Sequence, residues 1–311
     1  MNRAVKWILI GGGGLLLLLI AAIILIPLLV DVNRYKPQIE ARIQEATGRS
    51  FQIGGDIGLS VFPWIGVSLS DLSLGSPAGF EDTQFVRVGD FEARVKLLPL
   101  LSRQVEISRV VLQAPEIVLV KKKNGQTNWA FKPPAGEKKP APGPQETGTD
   151  GSGLALQSLT AEEIAIRNGT VTYIDQAAGR RHEISELNLA LTDVSLDRPV
   201  SLTFSTRVNG QPLEMEGTFG PIGSPPASQP VTYDLTIAAL NELDATLKGS
   251  ARNLTEKPAF EVSLEVAAFS PRKLFERLDQ PFPVQTTDPE VLNKVALKAR
   301  ITGSTTQASL E

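Results

Sequence analysis

The sequence predicts a mainly β protein: an N-terminal transmembrane helix followed by a long antiparallel β-meander, curled into a groove or a sandwich, with a few short helices. Three observations carry that expectation. Trp7 to Val30 is a run of 24 residues without a charged side chain. From Ser50 onward apolar residues recur at every second position, the period of a strand with one buried face. Asn209-Gly210, flanked by alternating apolar residues, is the strongest two-residue hairpin signal.

The run WILIGGGGLLLLLIAAIILIPLLV is long enough to cross a bilayer as a helix of about 36 Å, against a hydrocarbon core of about 30 Å. Its glycines and Pro27 are tolerated in membrane helices. A cleaved signal peptide would have a shorter apolar region and a small-x-small site, whereas this run ends in Leu28-Leu29-Val30-Asp31. Arg3 and Lys6 precede the run and Asp31 follows it, so the N-terminal tail is expected in the cytoplasm and the bulk across the membrane. The expected layout is a tail and anchor over 1–31, a helix and β-region over 32–132, a linker or loop over 133–153, and continuing sheet over 154–311.

Composition narrows the function classes. The net charge of −3 offers no basic field for nucleic acid. The chain has no cysteine, which excludes disulfides, thiolate catalysis and cysteine-based zinc sites. His182 is the single histidine, and its neighbours Arg180, Arg181 and Glu183 suggest a solvated turn.

After the anchor, Tyr35, Ile39, Ile43 and Ala46 recur on one face of a helix expected over Asn33 to Ala46, with Pro37 in its first turn and Gly48 as its C-terminal cap. Phe91, Ala93 and Val95 then alternate with Glu92, Arg94 and Lys96. Leu97 to Leu101, around Pro99, reads as a short helical turn. Val105 to Val120 reads as two strands around Gln113-Ala114-Pro115-Glu116. Lys121 to Lys123 suit a solvated strand end. Pro133 to Gly153 holds five prolines and five glycines among 21 residues and no large apolar side chain, so it reads as a linker or an exposed disordered loop.

A repeat crosses that segment. Val110, Leu112, Ile117 and Leu119 have the spacing of Ile164, Ile166, Val171 and Tyr173, displaced by 54, and Gly125 and Gly179 share the displacement. Each unit reads as strand, four-residue turn, strand. The same β-architecture is therefore expected to resume after the linker.

In the second half, a two-residue turn at Asn209-Gly210 pairs Val208 with Gln211, Thr206 with Leu213 and Phe204 with Met215. Leu202, Phe204, Val208, Leu213, Met215 and Phe219 then share one face, and Ser201, Thr203, Ser205, Arg207, Glu214 and Glu216 share the other. Tyr233-Leu235-Ile237, Leu243-Ala245-Leu247, Phe260-Val262-Leu264-Val266 and Val295-Leu297-Ala299-Ile301 repeat the scheme, and Ser270-Pro271 starts a short helix. Such a meander has one apolar face and few helices to cover it. It can close on itself as a sandwich or barrel, or curl into an open groove whose lining needs an apolar occupant. Composition favours the dry core; β-periodicity does not distinguish the two.

The residues assembled so far resemble the AsmA family. The matching features are the N-terminal anchor, Tyr35-Lys36, Thr47-Gly48-Arg49, Ile53-Gly54-Gly55-Asp56-Ile57 and Pro63-Trp64-Ile65-Gly66-Val67. Val95-Lys96-Leu97-Leu98-Pro99-Leu100-Leu101, Asn128-Trp129, Ile166-Arg167-Asn168-Gly169-Thr170-Val171 and Phe269-Ser270-Pro271-Arg272 follow in order. The resemblance implies a single-pass protein of the bacterial inner membrane, with its bulk in the periplasm. It also implies a part in outer-membrane assembly or in phospholipid transport along a β-groove. Members are commonly much longer, so the sequence is read as truncated at its C-terminus.

Two functions stay open at this point. One is lipid handling, with Leu202, Phe204, Val208, Leu213, Met215 and Phe219 lining a groove for phospholipid acyl chains. The other is a periplasmic scaffold or regulatory protein with a dry β-core. The family places the first ahead. The expected partners are the inner membrane through residues 7–30, acyl chains, and periplasmic or outer-membrane proteins. No nucleic acid, metal, cofactor or enzymatic activity is expected, since no nucleophile–base pair, metal cluster or phosphate loop is present. Glu162 and Glu163, adjacent on a strand, cannot share one site.

Overall fold

Side chains alternate between the faces of a strand, and residues opposed across a ladder share a face, so register decides which apolar groups meet. The computed structural model describes residues 31–62, 64–80, 84–101, 106–130, 160–221, 223, 230–253, 259–284, 287–288, 291–304 and 308–310. Over these residues the chain forms one sheet of fourteen strands. They are β1 (Phe51–Ile53), β2 (Ile57–Ser60), β3 (Trp64–Gly75), β4 (Gln84–Lys96), β5 (Glu106–Lys121), β6 (Thr160–Asp175) and β7 (Arg180–Ser195). Then come β8 (Val200–Val208), β9 (Gln211–Gly220), β10 (Val231–Ala239), β11 (Leu243–Arg252), β12 (Ala259–Phe269), β13 (Val295–Ser304) and β14 (Ala308–Leu310). Spatial order follows chain order, except that β1 and β2 both pair with β3. The first and last strands do not pair, so the sheet is open and the closed barrel is overturned. The helices are α1 (Lys36–Thr47), entered through the 3-10 turn Val32–Tyr35, α2 (Leu97–Leu101) and α3 (Pro271–Arg277). Among the described residues no helix is long and apolar enough to cross a membrane. The expected anchor, Trp7 to Val30, and the expected linker, Pro133 to Gly153, lie outside the described residues.

Helix α1 forms where its periodicity predicts, with a proline in its first turn and Gly48 at φ 67° as its left-handed cap. Its position solves a sheet problem. An edge strand presents unpaired N–H groups to any passing strand. The amide of Ile53 donates to Glu40 Oε1 at 2.8 Å, and that of Ile57 donates to Asn33 Oδ1 at 2.9 Å. The chain entering the sheet therefore blocks the sheet's first edge.

The meander is antiparallel at every pairing but one. β5 and β6 are parallel neighbours, with Glu106 beside Thr160 and Lys121 beside Asp175. That register equals the 54-residue displacement of the sequence repeat, so the two copies lie side by side. The expected pair of strands within each copy is overturned: β5 and β6 are each continuous over 16 residues. The odd spacing of five between Leu112 and Ile117, and between Ile166 and Val171, is absorbed by one left-handed residue in each strand. These are Ala114 at φ 47° and Asn168 at φ 52°, again 54 apart. Asp71 (φ 58°) in β3 and Glu186 (φ 50°) in β7 extend this seam. A bulge of this kind bends its strand and restores the facing, so the apolar residues on both sides of the seam share one surface. His182, expected in a turn, lies in β7, exposed, with its ring stacked on Tyr173 at 6.4 Å between centroids.

The far end of β5 outruns β4, since the last pair of that ladder is Val86 with Ile117. Asn128 takes the place of the missing neighbour. Its amide accepts from Val120 N–H at 2.8 Å and donates to Val118 C=O at 2.7 Å, and it is fully buried. Asn128→Ala should leave two backbone groups without partners and cost about 2–3 kcal/mol, read as a drop in urea midpoint. Asn124→Ala, exposed on the same loop, should change stability by less than about 0.5 kcal/mol. Equal effects would remove Asn128 from this role.

Candidate functional site: an apolar face running across the sheet

The hairpin β8–β9 has the register its turn chemistry predicts. Phe204 opposes Met215, Thr206 opposes Leu213 and Val208 opposes Gln211. Leu202 opposes Gly217, and Phe219 opposes Val200. The six residues expected to line a groove therefore share one face. Thr206 shares it too and is buried, its hydroxyl donating to Ser185 C=O at 2.9 Å.

Followed through the neighbouring ladders, this face is much longer than one hairpin. One row of directly opposed residues runs Ile57, Leu69, Phe91, Leu112, Ile166, Leu189, Phe204, Met215, Ile237, Ala245, Val266 and Leu297. Every member is apolar. The next row, two residues along each strand, passes through Val110, Ile164, Leu191, Leu202, Gly217, Leu235, Leu247 and Leu264. Twelve strands at about 4.8 Å spacing make a lane of about 50 Å.

This lane is not a sealed core. From Leu69 to Ile237 each member of the first row is half-buried, and Leu297 is 48% exposed. At the hairpin tip, Val208, Leu213, Ala239 and Leu278 border a cavity of about 360 Å³, with Leu278 on the residue that caps α3. Helix α3 itself starts as predicted, with Ser270 Oγ accepting from Lys273 N–H.

The opposite face is polar and ion-paired across strands. Arg109 Nε meets Glu163 at 3.0 Å, Lys248 meets Asp234 at 2.8 Å and Lys298 meets Glu265 at 2.7 Å. Each pair joins directly opposed residues, which fixes register as well as facing. Near α2, Lys96 Nζ lies 2.8 Å from Glu162 and 3.3 Å from Glu106. The hydrogen bond to Glu162 raises the Lys96 pKa, and the same bond lowers that of Glu162. Both stay charged across the neutral range. The stabilisation is lost as pH falls through the lowered Glu162 value or rises through the raised Lys96 value. Glu162 and Glu163 thus serve different partners, as their adjacency on a strand required. Among the described residues no cluster of His, Asp or Glu could hold a metal ion.

Two of the short motifs singled out in the sequence meet at the other end of the strands. Arg49 is buried, with its Nη2 donating to Asn128 C=O at 2.8 Å and Ala130 C=O at 3.2 Å, and its guanidinium lies 4.4 Å from the Phe85 ring. Burial lowers the Arg49 pKa, but a guanidinium stays charged, so these carbonyls and the ring replace its water. Thr47-Gly48-Arg49 and Asn128-Trp129 thereby form one joint between α1 and the end of β5.

Comparison with known families matches residues 1–261 to the model described as AsmA family. The chain belongs to the AsmA family. A curated AsmA relative, AsmA family protein YhjG of Escherichia coli (strain K12), is 31% identical over 113 residues. That alignment covers 32% of this chain and 16% of the relative. The short motifs that carry the resemblance include structural joints: the Arg49–Asn128 contact, the start of β3, the α2 corner, the bulge at Asn168 and the start of α3. Of the first row of the lane, only Ile57 and Ile166 belong to these short motifs. Its signal in the sequence is the alternation alone, and only the hairpin turn let that signal be converted into partners.

Proposed function

We propose that this AsmA-family chain is an inner-membrane protein with its bulk in the periplasm, whose open apolar lane holds phospholipid acyl chains and guides them between membranes. The observation that carries the reading is the unbroken apolar row across twelve strands, half-buried from Leu69 to Ile237 and exposed at Leu297. An apolar patch of this extent is unfavourable in water and marks a binding surface. Each methylene that settles on it contributes about 0.8 kcal/mol, so ten methylenes supply about 8 kcal/mol without any specific polar contact. The polar opposite face explains how such a sheet stays soluble with one side occupied. The charge-free run Trp7 to Val30 supports attachment to the inner membrane. Membership of the AsmA family supports a part in outer-membrane assembly or lipid transport.

The test is photo-crosslinking in cells. A photoreactive residue at Phe204 or Met215 should capture phospholipid, and the same residue at Ser205 or Glu214 should not. Equal capture from both faces, or none from either, would reject the lane and leave a scaffold acting through protein partners.

A further inference from the structure

We propose that the corner formed by the β2–β3 turn and α2 dips into the surface of the same bilayer that holds the anchor, so that the first strands of the lane open at the lipid headgroups. This rests on reading Trp7 to Val30 as that anchor. Three large side chains at the corner are left to water: Phe62 is 60% exposed, Trp64 38% and Leu98 77%. Register brings them together. Trp64 opposes Lys96, so Phe62 precedes and Leu98 follows the same end of the β3–β4 ladder.

The occupant follows from where the chain enters. Asn33 is pinned to Ile57, which opposes Leu69 on β3. From there α1 runs past Ile53, held by Glu40, to Arg49, which is tied to Asn128 at the far end of the strands. Traced backwards, the chain therefore leaves the sheet toward the end that carries Phe62, Trp64 and Leu98. Asp31, two residues before Asn33, ends the uncharged run. Leu69 lies five residues from Trp64 on β3, so the exit and the exposed corner are about 17 Å apart along the strand, close enough for both to meet one membrane surface.

The chemistry of the corner suits an interface. A tryptophan ring with a cation beside it is at home at the headgroup level. Arg94 lies 5.5 Å from the Trp64 ring, and Lys96 stands opposite Trp64. Both cations are paired with glutamates, Arg94 with Glu92 and Lys96 with Glu106 and Glu162. Apolar burial rather than net charge drives the contact, so a neutral phosphatidylcholine bilayer suffices.

Three tryptophans provide the experiment: Trp7 in the predicted anchor, Trp64 at the corner and Trp129 at the opposite end beside Tyr173, their rings 6.0 Å apart. Full-length protein is placed in phosphatidylcholine vesicles with and without brominated acyl chains. Each tryptophan is kept in turn while the other two are replaced by phenylalanine. The bromolipid should quench most emission from Trp7 and much from Trp64, and leave Trp129 unchanged. Quenching of Trp7 without Trp64 overturns the corner contact and leaves the anchor standing. Quenching of neither overturns both. Quenching of all three means non-specific adsorption and overturns the proposal. Because the chain has no cysteine, a second readout avoids the tryptophan substitutions: Leu98→Cys carrying a nitroxide should lose accessibility to an aqueous relaxation agent on reconstitution, and Lys123→Cys should not. Equal accessibility at both positions overturns the proposal.

Discussion

On the proposed function, replacing Phe204 with glutamate should leave the sheet folded and stop acyl chains from passing along it. Phe204 stands in the middle of the apolar row, between Leu189 and Met215. It is half-buried, so a carboxylate there keeps part of its water and the protein loses about 1–2 kcal/mol. In a sealed core the same unpaired charge would cost more than about 4 kcal/mol. An acyl chain crossing the position must strip that water, at a cost of several kcal/mol, and about 1.4 kcal/mol is a tenfold loss. Photoreactive residues at Leu112 in β5 and Leu264 in β12 lie on either side of the block. Phospholipid capture should fall at least about tenfold at one of them, and the side that falls reports the direction of transfer. Undiminished capture on both sides would show that lipid reaches each side without passing Phe204. Global unfolding of Phe204→Glu would show that the face is a core.

Gly217→Ala should be the most damaging single methyl in the described sheet. Gly217 sits in the second row between Leu202 and Leu235, with φ 148°. A Cβ there would lie 1.9 Å from the backbone oxygen of Asp234 on the adjacent strand. That oxygen belongs to the β9–β10 ladder and cannot move without parting the strands. A loss of about 4 kcal/mol or more is expected, from strain plus several ladder hydrogen bonds. Gly210→Ala separates conformation from contact. Gly210 has φ 82° but no neighbour within 4 Å of a Cβ, so its cost should be about 1 kcal/mol. Urea midpoints of the two variants decide the matter: similar losses would mean that positive φ, not the Asp234 oxygen, makes glycine necessary at 217.

The hairpin and the repeat were legible in the sequence to different depths. Two residues of turn leave one register, so Asn209-Gly210 settled the partners of Phe204, Thr206 and Val208 and hence the face that each one joins. The 54-residue displacement was legible as well, but not its meaning. An odd spacing of five apolar positions fits a four-residue turn between two strands. It equally fits a single strand with one left-handed residue. Local sequence does not separate them; the pairing of β5 with β6 on both sides of Ala114 and Asn168 does.

By itself, the sequence determined a mainly β chain with one apolar face and the short helices at Lys36, Leu97 and Pro271, since these depend on contacts within a few residues. Tertiary structure alone decided that β5 and β6 lie parallel at the repeat distance. It also joined twelve separate alternations into one lane, and brought Arg49 to Asn128 across 79 residues. Whether the sheet closes was likewise invisible locally. Closure depends on whether the two edges meet, and here Asn33 and Glu40 occupy the first edge with their own side chains. A period of two places a side chain on a face; only the pairing of distant strands decides whether that face is covered.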